Sequence, residues 1–121
     1  MEAFDIIKIA ANALNEKKGK ELSVIKISEL TVLAEYFVIC TANSSTQLRA
    51  LCDEVEDKLK ENGVEPHHIE GRSTGWLALD YGSVIVHIFT RTEREFYGLD
   101  KMWNDGEHID LNEILENSQE D

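Results

Sequence analysis

Apolar and polar positions follow two different periods near the N-terminus of this chain. Phe4, Ile7 and Leu14 recur at helical spacing, which predicts an amphipathic helix over residues 2–18. The next apolar run, LSVIKI at 22–27, is rich in β-branched residues and alternates as a half-buried strand does. A helix followed by a strand is therefore expected.

The middle of the chain predicts a strand–helix–strand unit. Residues 36–42, YFVICTA, are apolar throughout, which is typical of a strand covered on both faces. The polar turn after it opens a helix, because Ser44 and Gln47 form a capping-box pattern, and Gly63 ends that helix. An extended piece at 69–72 completes a crossover connection, which implies parallel flanking strands.

Two apolar runs, WLALDY and SVIVHIFT, meet at a Tyr81-Gly82 turn and predict an antiparallel hairpin. Residues 92–103 then predict a third helix, because their aromatic and aliphatic side chains repeat at three- and four-residue steps. The predicted fold class is α/β, with a mixed β-sheet of four to five strands flanked by helices.

The composition fits one globular domain. The chain has 121 residues, an apolar content of 42% and a single proline, and it contains no internal repeat or low-complexity linker. Cys40 and Cys52 lie inside apolar runs, as small core residues of a cytosolic protein do. The N-terminal residues lack a signal-peptide pattern, and no run approaches the roughly 20 apolar residues of a membrane span. We therefore expect a cytoplasmic location.

The strongly acidic charge balance indicates which class of partner the protein can bind. Twelve Lys and Arg stand against 24 Asp and Glu, a net charge of −12. Such a chain repels nucleic-acid phosphates and anionic lipid, so neither DNA nor a membrane is an expected partner. A basic protein would be attracted instead.

The C-terminal segment, residues 105–121, is more acidic than the rest. It holds seven acids and no Lys or Arg, so it carries −7 of the net −12. We predict an α/β domain over 1–104 and an acidic tail over 105–121. The tail is interpreted as a solvated terminus, as a steering element for a cationic partner, or as a segment docked through its apolar residues Ile109, Leu111, Ile114 and Leu115.

No metal or cofactor site is predicted. His67-His68, His87 and His108 are far apart along the chain, and no pair of His, Cys or acids at helical spacing has a third ligand nearby. His87 alternates with apolar residues and is interpreted as a buried sheet residue.

An enzyme is the alternative. The turn at 41–46 precedes a helix N-terminus that could hold an anion, and Asp80 could serve a nucleotidyl transfer. That reaction needs two closely placed strand carboxylates to hold metal ions, and Asp80 has no second acid on its own strand face. We therefore predict no catalytic residue.

The end of the hairpin is the remaining candidate site. Trp76, Leu79, Asp80 and Tyr81 combine aromatic residues with an acid, a composition that is typical of protein–protein hot spots. The same pattern equally fits a core tryptophan with a turn tyrosine above it. The residues alone leave both interpretations open.

Several ordered motifs resemble a known family. They are YFVICTANS with a following Gln, EG before GW, LDYG, VHIF and REFYGLDKMW. Over about residues 22–105 they are similar to the ribosomal silencing factor S family, also called iojap-like proteins. The chain departs from the family pattern at Glu35, where the family usually has Asp, and the charge is retained.

The resemblance implies a nucleotidyltransferase-like fold without the catalytic acids, and a translation repressor. Family members bind the large ribosomal subunit through its ribosomal protein uL fourteen, sterically block subunit association, and are commonly homodimers when free. The family's binding surface corresponds here to Glu70, Trp76, Leu79, Asp80 and Tyr81.

Overall fold

The computed structural model describes residues 1–71, 74–98, 101 and 103–116 of the chain. Within these residues three α-helices and six β-strands follow one another, with a short 3₁₀ turn near the end. In chain order they are α1 (Ala3–Glu16), β1 (Lys20–Lys26), β2 (Tyr36–Ala42), α2 (Ser45–Glu61), β3 (His68–Glu70), β4 (Trp76–Asp80), β5 (Val84–Thr90), α3 (Arg91–Tyr97), β6 (Glu107–His108) and the 3₁₀ turn (Leu111–Glu113).

The strands form one mixed sheet in the order β3-β4-β5-β2-β1-β6. Among the strand pairs of the described residues, β2 and β5 are parallel and the other neighbours are antiparallel. The predicted α/β class is confirmed, and within the described residues the sheet has six strands instead of four to five. The strand that flanks α2 on its C-terminal side, β3, runs in the same direction as β2, but β5 and β4 lie between them.

One face of the sheet carries the main core. α1 and α2 pack side by side on this face, which we call the helix face. Ile7 and Leu14 of α1 and Leu51 and Val55 of α2 are fully buried. Burying each such side chain contributes on the order of 1.5–3 kcal/mol. The Ser44 cap is also confirmed, because its Oγ accepts a hydrogen bond from the Gln47 amide at 3.1 Å.

The opposite face of the sheet, which we call the open face, has a smaller core centred on Phe37, Ile39 and Phe89. α3 packs on this face, but the predicted helix over 92–103 is wrong in its length. The helix ends at Tyr97 because Gly98 takes a left-handed conformation, with φ of 59°. Phe96 is 78% exposed instead of packed on the sheet. Leu99 and Met102, which belong to the predicted apolar repeat, lie outside the described residues.

The C-terminal segment docks on the domain as far as it is described. β6 pairs with β1, and Ile114 is only 2% exposed. Asn12 of α1 ties this segment down: its Nδ2 donates to the Ile114 carbonyl at 3.0 Å and its Oδ1 accepts from the Glu116 amide at 2.7 Å. Of the three interpretations, docking through the apolar residues describes residues 107–116. The boundary between residues 104 and 105 stays a prediction.

Among the residues that the structure describes, none of the helices is long and apolar enough to cross a bilayer.

Candidate partner-binding site

The hairpin of β4 and β5 places alternate side chains on the two faces of the sheet. Paired residues of neighbouring strands point to the same side, so the register lays out the open face in rows. From β3 to β5 the rows are His68–Asp80–Ile85, Glu70–Ala78–His87 and Trp76–Phe89. The turn forms as predicted, with the Tyr81 amide bonded to the Val84 carbonyl and Gly82 at a φ of 85°.

The register divides the predicted site between the two faces. Leu79 is fully buried on the helix face, and Tyr81 is 5% exposed in the same core. Because strand residues alternate in direction, neither side chain shares a surface with Trp76. The side chains of Leu79 and Tyr81 therefore lie inside the free protein, away from the surface that carries Trp76. The partner-binding role of Glu70, Trp76, Leu79, Asp80 and Tyr81 stays a prediction.

One carboxylate oxygen of Asp80 accepts a hydrogen bond within the β4–β5 turn, and the other lies near His68. Its Oδ1 accepts a hydrogen bond from the Gly82 amide at 2.8 Å, and its Oδ2 lies 3.7 Å from Nε2 of His68. The same His68 nitrogen lies 3.4 Å from a carboxylate oxygen of Glu70, whose side chain is 72% exposed. His68 therefore lies between the two acids along the outer edge of the open face.

A cleft of about 290 Å³ opens beside Trp76. We call it the Trp76 cleft; its lining residues are Glu70, Gly71, Thr74, Trp76, Ala78, Glu93 and Tyr97. The small side chain of Ala78 leaves its floor open, and two carboxylates and two aromatic rings form the walls. No Lys or Arg lines it among the described residues. Such a lining suits a cationic group that carries an apolar stem.

Two wall residues were missed by the sequence reasoning. Glu93 and Tyr97 are four residues apart on α3, so both reach the same side of that helix. Their i, i+4 spacing was the available signal. The predicted helix used a different stripe of residues for packing on the sheet, and nothing local indicated that Glu93 and Tyr97 lie next to Glu70 and Trp76.

The indole of Trp76 is held from several sides. It stacks on Phe89, with ring centroids 4.9 Å apart and an interplanar angle of 27°, and it contacts the ring of Tyr97 at 4.6 Å. Its Nε1 donates a hydrogen bond to Nδ1 of His87 at 3.0 Å. Only part of the ring therefore faces solvent, and that part is held in one orientation.

His87 is structural, as its alternation with apolar residues predicted. It is 6% exposed, and burial lowers its pKa from 6.5 to about 4, so it is neutral at neutral pH. Because Nδ1 accepts the Trp76 hydrogen bond, the ring proton must sit on Nε2, which is buried without a hydrogen-bond partner within the described chain. This histidine orients Trp76.

The residues of the alternative enzyme do not meet. The turn at 41–46 follows the C-terminal end of β2, whereas Asp80 lies beside Ile85, which pairs with Phe37 near the start of β2. Five strand residues separate the two places, or about 16 Å. The turn is also occupied by its own side chains, since Gln47 Oε1 accepts from the Asn43 amide. Asp80 and the turn therefore cannot form one active site.

The expectation that no pair of His, Cys or acids at helical spacing has a third ligand nearby is wrong, because Cys52 and Glu56 are four residues apart on α2 and Asp53 lies beside them. Cys52, Asp53 and Glu56 of α2 offer ligand atoms within 4.8 Å of one another. α2 covers the helix face, so this group is remote from the Trp76 cleft. Any ion held there would be separated from the cleft by the sheet.

Comparisons with known proteins identify the family of this chain. The family model described as "Ribosomal silencing factor during starvation" matches residues 1–121. The ribosomal silencing factor RsfS of Bacillus subtilis is 36% identical over 112 residues, which cover 92% of this chain and 95% of that protein. The chloroplastic protein Iojap of Zea mays is 29% identical over 101 residues, which cover 84% of this chain and 44% of that protein.

Solved structures show the same fold. A protein from Chromobacterium violaceum superposes with a TM-score of 0.83 at 35% identity, covering 86% of this chain and 88% of that one. A protein from Bacillus halodurans superposes with a TM-score of 0.77 at 29% identity, covering 88% and 97%. With a family model that spans all 121 residues and relatives alike along most of their length, the chain belongs to the ribosomal silencing factor (RsfS) family.

Proposed function

We propose that this protein binds the large ribosomal subunit through ribosomal protein uL fourteen and, by occupying that surface, blocks association with the small subunit and represses translation. The Trp76 cleft is the observation that carries this proposal. It joins a restrained, partly exposed indole to two carboxylates on a chain whose net charge is −12. Ribosomal proteins are basic, so the chain and the cleft both match a cationic protein surface.

The recognition we propose is for a Lys or Arg side chain of the partner. Its apolar stem would lie along the rings of Trp76 and Tyr97, and its charged head would take hydrogen bonds from Glu70 and Glu93. Because Phe89 and His87 already fix the indole, little side-chain entropy remains to be lost on binding. Asp80 and His68 would extend the contact along the same edge.

The proposed mechanism is steric. The protein acts by covering a surface that the small subunit must reach, and no bond is made or broken. A homodimer of the free protein and a cytoplasmic location belong to the same proposal, and light scattering of the purified protein measures the first. The location is measured by cell fractionation, in which the protein is expected in the cytoplasmic fraction together with the ribosomes.

The test is a binding measurement with purified large subunits. Trp76→Ala should raise the dissociation constant at least ~30-fold, which corresponds to ~2 kcal/mol at a hot spot. Phe4→Ala is a matched control, because Phe4 is an aromatic residue of α1 that is 38% exposed. Circular dichroism checks that both variants remain folded.

A charge-reversal pair tests the acidic walls of the cleft. Glu70→Lys with Glu93→Lys should weaken binding, whereas Asp57→Lys with Glu61→Lys makes the same charge change on α2 and should weaken it far less. If Trp76→Ala and the cleft pair bind as the wild type does while folded, the site assignment is wrong. Subunit association, followed by light scattering, should be inhibited by the wild type and not by Trp76→Ala.

A further inference from the structure

The parallel pair of strands defines a second surface of the molecule. β2 and β5 end side by side, with Ala42 opposite Thr90. From this edge the chain enters α2 on the helix face and α3 on the open face. In open α/β sheets, the crevice at which connections leave to opposite faces is where ligands bind. β1 begins at the same edge, since Lys20 pairs with Thr41.

Cations collect at this edge although the chain is acidic. We call the surface the basic edge; its residues are Lys17, Lys18, Lys20, Arg49 and Arg91, all exposed. Gln47 joins the first turn of α2 to the segment after α1, because the Gln47 Nε2 donates to the carbonyls of Lys17 and Lys18 at 3.3 Å each. The edge thus holds five of the twelve Lys and Arg residues.

Most of these charges are not neutralised by the protein. Arg91 pairs with Glu21 at 3.0 Å. In the part of the chain that the structure describes, no ion pair joins Lys17, Lys18, Lys20 or Arg49. The four side chains are therefore available to an anion from outside.

The first turn of α2 adds to the positive potential. α2 has 17 residues and begins at this edge, and its first turn contains no acid. Its five acids all come later, at Asp53, Glu54, Glu56, Asp57 and Glu61. Helices usually place acids in the first turn, where they offset the positive end of the helix dipole. Here no acid offsets that end, so the helix dipole adds to the positive potential of the lysines, although Ser44 and Gln47 already accept hydrogen bonds from two amides at this turn.

We infer that the basic edge contacts the phosphate backbone of ribosomal RNA while the Trp76 cleft holds protein. This inference rests on the proposed function, because the large subunit supplies both surfaces. A basic ribosomal protein would be repelled by this edge, whereas an RNA backbone presents a row of negative charges that flexible lysines reach. The two surfaces of the chain therefore select two chemically different parts of one target.

The net charge of −12 restricts this contact to the bound state. Free RNA is repelled by the rest of the surface, so the edge adds binding energy only after the cleft has positioned the protein. The second contact is then intramolecular and benefits from a high local concentration. The edge acts as an auxiliary anchor and not as an independent RNA-binding site.

The salt dependence of binding tests the inference. The variant Lys17→Gln, Lys18→Gln, Lys20→Gln removes three charges from the edge. Lys8→Gln, Lys58→Gln, Lys60→Gln removes three from elsewhere on α1 and α2. The dissociation constant of each for large subunits is measured across a series of KCl concentrations. The slope of log Kd against log[KCl] should fall by ~2 in the edge variant, at about 0.7–0.9 per phosphate contact, and stay at the wild-type value in the control.

A photo-cross-linking amino acid at Thr46, in the first turn of α2, identifies the neighbour. Cross-linking to ribosomal RNA is expected, and cross-linking only to ribosomal protein would overturn the inference. Equal salt slopes for the edge variant and wild type, with wild-type binding intact, would also overturn it and leave the proposed function standing. Failure of the wild type to bind large subunits would instead remove the proposed function and this inference together.

Discussion

Replacing Tyr81 by Phe should stabilise this protein and leave its binding to large subunits unchanged. The ring of Tyr81 belongs to the core on the helix face, where the residue is 5% exposed. Its hydroxyl has no hydrogen-bond partner within the described residues. Burial raises its pKa well above the ordinary value, with a further rise from the nearby Glu56. The phenol is thus a desolvated polar group without compensation.

The size of the effect follows from that cost. An unpaired buried hydroxyl costs about 1–3 kcal/mol relative to its hydrated state, and Tyr→Phe removes it while keeping the ring that packs. Allowing for the small void that remains, we expect a gain of about 1 kcal/mol in the free energy of unfolding. For a chain of this size that is a rise of about 3–6 °C in Tm.

Urea unfolding and calorimetry measure the stability, and sedimentation with large subunits measures the binding. A loss of more than about 1 kcal/mol would mean that the hydroxyl has a partner, and would refute the argument. Weaker ribosome binding by a variant that is equally or more stable would place Tyr81 at the interface, as the family resemblance implied.

Two further predictions concern His87 and Gly71. Because the folded pKa of His87, about 4, lies below the unfolded value of 6.5, the unfolded state binds more protons between these values. Stability is therefore full above pH 6.5 and falls toward pH 4, by ~2 kcal/mol at pH 5. His87→Asn should lose that part of the pH dependence in urea titrations, and identical curves would contradict this. Gly71→Ala should destabilise by more than ~2 kcal/mol, because its φ is 86° and a Cβ would lie 2.0 Å from the Trp76 carbonyl oxygen. Gly63→Ala is the control, because Gly63 has a φ of 77° and a Cβ there would meet no atom within 4 Å; it should cost only about 1 kcal/mol in thermal unfolding. Equal losses of stability in the two variants would show that the Gly71→Ala clash with the Trp76 carbonyl is relieved by a small backbone shift.

Local chemistry explains the successes of the sequence-based reasoning. The cap at Ser44, the turn at Gly82 and the apolar run at 36–42 depend on neighbours within a few positions, so a pattern predicts each of them. The same is true of the sheet position of His87, because alternation along β5 fixes the face of every residue. The apolar residues of the C-terminal segment likewise allowed its docking to be foreseen as one alternative.

The length of α3 shows where a pattern is insufficient. The apolar repeat over 92–103 continues through Gly98, but the backbone of Gly98 is left-handed and the helix ends at Tyr97. Hydrophobic spacing predicts which side chains of a segment are buried. It does not report the backbone angle at a glycine, which is free to adopt either sign of φ.

The sequence by itself determined the fold class, the hairpin and the family, because those depend on short-range periodicity and ordered motifs. Only the tertiary structure decided which residues share a surface. It buried Leu79 and Tyr81 against the helices, and it brought Glu93 and Tyr97 of α3 beside Glu70 and Trp76. The physical reason is that a binding surface is made of contacts between distant segments. Strand order and helix placement, which no local pattern encodes, set those contacts.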